Sequence, residues 1–169
     1  MKLKLLSTLT VLLVSLNTTA IPANLKEVQM PGDGDCLFWS LTARYVAEKD
    51  WHKEVHRVRA KKLRQDVAKA LESGRYDERL ELVLVSDDNP YTNKKDYIKH
   101  FKKGLLDPGE LELIVASDVL GLNIVVHNDT HGTIGYPIDL HHNVSAHVQY
   151  YPGHYNYLAP NINLGGPNG

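Results

Sequence analysis

In Pro31-Gly32-Asp33-Gly34-Asp35-Cys36-Leu37-Phe38-Trp39, a cluster of turn residues runs directly into an apolar segment that continues to Ala47. Glycine and aspartate favour turns, and nothing after Asp35 interrupts a helix, so a helix is predicted to begin near Cys36. A thiol there faces the positive end of the helix dipole, which favours the nucleophilic thiolate. The backbone N–H groups of the approaching turn are unpaired near the sulfur, and two of them aimed at one point form an oxyanion hole in outline.

Cys36 is the only cysteine, so the chain forms no intramolecular disulfide, and its fold must stand on its core. Two readings of the lone thiol stay open at this point: a reactive group, or a small buried apolar residue. A reactive thiol needs a base, and imidazole titrates in the right range. Of nine histidines, His154 is distinguished by context. It follows the turn Pro152-Gly153, opens a strand, and has Asn156 two residues on, on the same strand face, where the amide can fix the imidazole tautomer. Against this stands the ordinary role of a histidine among tyrosines, surface or packing.

Working outward, residues 25–30 are extended. Between residues 53 and 73, Val55, Val58, Leu63, Val67, Ala70 and Leu71 recur at helical spacing, and Gly74 is placed to end the helix. Arg57, Arg59, Lys61, Lys62, Arg64 and Lys69 are read as its solvated outer face, since a nucleic-acid stripe would carry interleaved aromatics. Further helices are predicted over 76–85, from a Thr92 cap to Lys103, and over 110–120 with Gly121 as the stop. From Leu122 the chain turns β-branched, and strands are expected over 122–127, 133–138, 146–151 and 155–158. Residues 159–169 are read as a frayed tail.

Residues 1–20 have the form of a secretory signal peptide: Lys2 and Lys4, an apolar run over 5–16, and the small-residue exit Thr18-Thr19-Ala20. The run is short for a membrane span, so no anchor is expected in the mature chain. About 150 residues remain, the size of one domain with one core. Apolar residues at 43% and charged residues at 23% exclude intrinsic disorder. A net charge of −1 gives no bulk attraction to nucleic acid.

Asp33-Gly34-Asp35-Cys36-Leu37-Phe38 resembles the Asp-Gly-x-Cys-Leu-Phe motif of the ovarian-tumour (OTU) family of cysteine proteases. Two further pieces fall in the family's order: Gly109-Glu110-Leu111-Glu112-Leu113 with the strand Ile124-Val125-Val126, and Gly153-His154-Tyr155-Asn156. The resemblance implies an α/β (α+β) papain-like fold, with a small central β-sheet flanked by helices. With the leader and the tail read from composition, the chain divides into a signal peptide at 1–20, an OTU-like domain at 21–159 and a flexible tail at 160–169. The resemblance also implies Cys36 as nucleophile, His154 as base, Asn156 as the orienting residue and Asp33 as the acidic member. Backbone groups of Asp33, Gly34 and Cys36 would form the oxyanion hole. The implied activity is deubiquitination through a Cys acyl-enzyme, without metal or cofactor, by a monomer whose partner is ubiquitin or a ubiquitin-like protein. Asp107-Pro108 departs from the Trp-Gly pair of many members, and Asn156 replaces the aspartate of some.

The alternatives from other classes are a non-catalytic ubiquitin-binding protein on this fold, and a cysteine hydrolase or acyltransferase with another acyl donor. His127, His131, His141, His142 and His147 suggest a metal site only weakly, because the i, i+4 interval of the first two needs a helix and falls on a strand and turn. With the leader, the implied activity points to a secreted protein, delivered into a host cell.

Overall fold

The computed structural model describes residues 21–87, 89–129, 132–136 and 142–161. The expected leader therefore lies outside the described residues, as do His131, His141 and residues 162–169 of the tail. No helix among the described residues is long and apolar enough to cross a membrane.

Helix α1 (Cys36–Ala43) starts where the turn residues end, and all eight of its residues are buried. Six of the eight are apolar, and Ser40 and Thr42 are buried with them, the pattern of a helix enclosed by its own domain. It stops short of the predicted Ala47: the Trp51 indole donates to the carbonyls of Ala43 (3.0 Å) and Val46 (3.1 Å), and Ala47 is extended.

Helix α2 (Glu54–Glu72) buries His56, Ala60, Leu63, Arg64, Val67, Ala68 and Leu71. This corrects both faces expected from sequence. Val55 and Val58 are 49% and 56% exposed, whereas Arg64, assigned to the solvated face, is 2% exposed. The buried stripe passes through Ala60, Val67, Ala68 and Leu71, which lie at −4, +3, +4 and +7 from Arg64 and therefore on its side of the helix. Helix α3 (Asp77–Leu84) follows, then α4 (Lys94–Lys102). The cap of α4 is Asn93, not Thr92: the Asn93 side chain accepts from the Asp96 N–H at 2.9 Å. Helix α5 (Glu110–Leu120) ends at Gly121 in the left-handed region (φ 63°), as the glycine predicts.

Five strands, β1 (Leu25–Val28), β2 (Asn123–Asn128), β3 (Gly132–Tyr136), β4 (Ser145–Tyr151) and β5 (His154–Pro160), form one sheet in the order β1-β5-β4-β2-β3. Only the β2–β4 pair is parallel. The β4–β5 hairpin closes on Pro152-Gly153, with Gly153 at φ +77°. Strand β5 runs two residues past the predicted Leu158, because Ala159 and Pro160 pair with Lys26 and Leu25. Alternation along the strands sends Ile124, Val126, Ala146, Val148, Tyr155 and Tyr157 into the core with the helices. The result is a mixed α+β fold, a sheet flanked by helices with Cys36 at the start of α1, as expected.

Candidate active site

The loop before α1 is built by its own side chains. Asp33 Oδ1 accepts from the Asp35 N–H at 3.1 Å, and the Asp33 carboxylate also accepts from the Trp39 indole at 3.1 and 3.2 Å. Asp33 thus ties the loop to the first turn of the helix, and its bonds do not reach His154. Because the Asp35 N–H is spent on Asp33, it is not a free donor for a substrate oxygen.

Gly34 sits at φ +81°, and a Cβ there would come within 2.9 Å of the Gly104 carbonyl oxygen. Both facts require glycine. Gly34→Ala is expected to cost about 2 kcal/mol or more, read as a lowered urea midpoint. Gly32→Ala, whose Cβ would meet nothing within 4 Å, is expected to leave the midpoint unchanged.

Arg64 holds the same loop from below. Its Nε donates to Asp35 Oδ1 at 2.5 Å, Nη2 to the Gly34 carbonyl, and Nη1 to the carbonyls of Phe101 (2.8 Å) and Leu106 (3.3 Å). The guanidinium lies over the rings of Phe38 (4.7 Å) and Phe101 (4.9 Å). Sequence reading missed this role. The available signal was a cation in phase with Ala60, Val67 and Leu71.

Cys36 is 4% exposed. Burial pushes its thiol above the ordinary range, against the lowering by N–H groups of Tyr155 and Leu37, and the Asp107 carboxylate pushes the same way as burial. The net direction is opposite to the one expected from the helix dipole, because desolvation of a thiolate outweighs the aligned donors. Cys36 therefore rests as a thiol and needs a base.

The strand that carries His154 packs beside the thiol. The Tyr155 N–H reaches the Cys36 sulfur, and the Ser40 hydroxyl donates to the Tyr155 carbonyl at 3.3 Å, so α1 is tied to the residue after His154. His154 Nε2 lies 2.8 Å from Asn156 Oδ1. One cleft of 270 Å³ is lined by Cys36, by Asp107, Pro108 and Gly109, and by Gly153 and Tyr155 on either side of His154. The structure thus brings Cys36, His154 and Asn156 to one end of the sheet, while Asp33 acts on the loop.

The Asp107-Pro108-Gly109 wall is held by Glu112, which sequence reading noticed only as part of a motif. It is 1% exposed, accepts from the Gly109 N–H at 2.9 Å and from the Tyr97 hydroxyl at 2.7 Å. A glutamate three residues into the helix, reaching back to the cap N–H, is a legible half of a capping box. Burial raises the Glu112 carboxyl above the usual carboxylate range.

The histidines weighed as metal ligands are placed differently. His127 Nε2 and His147 Nδ1 stand 3.0 Å apart, sharing a hydrogen bond, and burial lowers both. Among the described residues, no group of three or more His, Cys, Asp or Glu is assembled to hold a metal.

A buried thiol at a helix start, an imidazole held by an amide two residues along its own strand, and a cleft opening on the thiol and on the residues beside the imidazole belong to the cysteine-peptidase class. The chain belongs to the OTU-like cysteine protease family, whose sequence model matches residues 31–158. Among solved structures, an OTU domain in complex with ubiquitin is similar with a TM-score of 0.59 and 22% identity, over 81% of this chain and 70% of that chain. The viral OTU domain protease from Taggert virus is similar with a TM-score of 0.59 and 18% identity, over 82% and 81% of the two chains. An OTU deubiquitinase from Wolbachia pipientis wMel, bound to ubiquitin, has a TM-score of 0.57 and 16% identity, over 82% and 98%. At these identities the likeness is one of fold. No curated protein matches the chain.

Proposed function

We propose that this protein is a deubiquitinase that hydrolyses the isopeptide or peptide bond after the C-terminal glycine of ubiquitin or a ubiquitin-like modifier. The observation that carries the reading is the hold of Asn156 on His154 at 2.8 Å, one residue from the N–H that meets the Cys36 sulfur. With Nε2 engaged, Nδ1 is the ring nitrogen left to take the thiol proton. The sulfur attacks the glycine carbonyl carbon, and N–H groups of the Asp33, Gly34 and Cys36 backbone receive the oxyanion. His154 gives its proton to the departing amine as the C–N bond breaks. It then takes a proton from water, whose oxygen attacks the thioester, and the C–S bond breaks to restore the thiol. Supporting this substrate are the family and the ubiquitin-bound structures with the same fold.

The test is incubation of the protein with ubiquitin carrying a C-terminal electrophile. A covalent adduct that is absent in Cys36→Ala supports the reading. Tight binding without an adduct would replace it with a binding protein, and neither outcome would direct the chemistry to another acyl donor.

A further inference from the structure

Asn156 is a neutral residue in a position where a carboxylate would better stabilise an imidazolium, and the structure supplies a carboxylate one step behind it. The amide orientation is fixed by a group that can only donate: the Met30 backbone N–H lies 2.9 Å from Asn156 Oδ1, so that atom is the oxygen. The other end of the amide is then the NH₂. It donates to Glu27 Oε1 at 2.7 Å and to Gln29 Oε1 at 3.1 Å. With oxygen facing His154, the ring must bring the proton on Nε2, which leaves the lone pair on Nδ1.

The placement follows from register. Glu27 pairs with Leu158 across the β1–β5 ladder, and Asn156, two residues from Leu158, shares its face. On the other side of β5, Tyr151 pairs with His154, and its hydroxyl donates to Glu27 Oε2 at 3.1 Å. Gln29 Nε2 adds a longer bond of 3.3 Å to Glu27 Oε1. Both oxygens of Glu27 are therefore held, and one of them is aimed at the Asn156 amide.

We infer that Glu27 is a positioning residue for His154, acting through Asn156: it fixes the amide so that its oxygen meets Nε2–H, and it sets a carboxylate behind that amide. The inference rests on His154 serving as the base for Cys36. Asn156 alone satisfies a hydrogen bond; Asn156 with Glu27 behind it also places a negative charge within range of the imidazolium formed when the thiol proton moves. Among the described residues, the charged and titratable groups facing this chain of bonds are Glu27 from β1 and Tyr151 from β4, with Asp129 acting on Tyr151; the cleft lined by Gly153 and Tyr155 adds Cys36, Asp107 and Glu110.

The experiment separates charge from shape and needs no ubiquitin. In Cys36→Ala protein, which removes coupling to the thiol, the His154 ring is titrated by NMR with and without Glu27→Gln. Glu27→Gln keeps an acceptor oxygen for Asn156 and deletes the charge. The His154 pKa is expected to fall by about one pH unit, with the Nε2–H tautomer retained. Adding Asn156→Asp to Glu27→Gln is expected to bring it back up, because the charge returns next to the ring. In protein with Cys36 intact, Glu27→Gln is expected to slow adduct formation about tenfold.

An unchanged His154 pKa in Glu27→Gln, or an Nδ1–H tautomer in the parent protein, would overturn the inference. A Glu27→Gln that melts earlier without moving the pKa would reduce Glu27 to a sheet-stabilising residue. Absence of an adduct in the parent protein would instead defeat the substrate reading, while the titration would still decide whether Glu27 governs His154.

Discussion

Arg64→Met is expected to destabilise the protein by about 3–5 kcal/mol, the cost of removing one partner from a buried ion pair. Methionine fills much of the arginine stem's volume, so the loss comes from what the guanidinium satisfies. Asp35, 8% exposed, is left as a buried carboxylate without its cation, and the carbonyls of Gly34, Phe101 and Leu106 lose their donor. For a chain of this length the change should appear as a drop in Tm of roughly 10 °C. Combining Arg64→Met with Asp35→Asn should recover part of the loss, because the uncompensated charge goes with its partner. Arg64→Lys should fall in between: an ammonium keeps the charge but cannot reach Asp35 and three carbonyls as a planar fork does. A change below about 1 kcal/mol in Arg64→Met would mean that the pair and its carbonyls are met by water.

The same substitution bears on the site, since the atoms that Arg64 holds belong to the loop that precedes Cys36. Gly34 and Asp35 are fixed from one side by the guanidinium and from the other by Asp33 and Trp39. Two independent clamps on four residues explain why the loop carries glycine at its one position of positive φ. The backbone must pass close to Gly104 while its carbonyl faces inward to Arg64.

These contacts mark where sequence reading succeeds and where it stops. The start of α1, the end of α5 at Gly121 and the turn before His154 are written in local chemistry, in glycine, proline and the onset of apolar runs, and they are where the sequence puts them. Arg64 was misassigned because a cation on a helix is by default a solvated residue, and the acid that neutralises it lies 29 positions away. Glu27 was invisible for the same kind of reason. Its partner on β5 lies 129 positions away, and nothing in a four-residue strand announces which strand it will pair with. The Cys36 thiol was given the wrong direction because the dipole is legible from the helix start, whereas the burial that outweighs it exists only once the chain is folded. Local rules thus find the thiol at a helix start and the histidine at a strand start; the groups that hold them come from pairings across the fold.

His154→Ala is expected to lower kcat/KM for a ubiquitin C-terminal aminocoumarin substrate by roughly 10²–10⁴-fold, the usual contribution of a positioned acid and base. The size follows from the resting state of Cys36. Burial and the Asp107 carboxylate both disfavour the thiolate, so without an adjacent acceptor little of the nucleophile is present at neutral pH. Raising the pH should therefore restore part of the activity of His154→Ala, as solvent takes over deprotonation, while Cys36→Ala stays inactive at every pH. Asn156→Ala should give a smaller loss, because the imidazole survives but Nε2 loses the oxygen 2.8 Å away that sets its tautomer. Steady-state assays of the three variants between pH 6 and about 9 would check the order. Activity in His154→Ala equal to the parent protein at neutral pH would show that another group accepts the proton, and the carboxylates that line the cleft with the sulfur are those of Asp107 and Glu110.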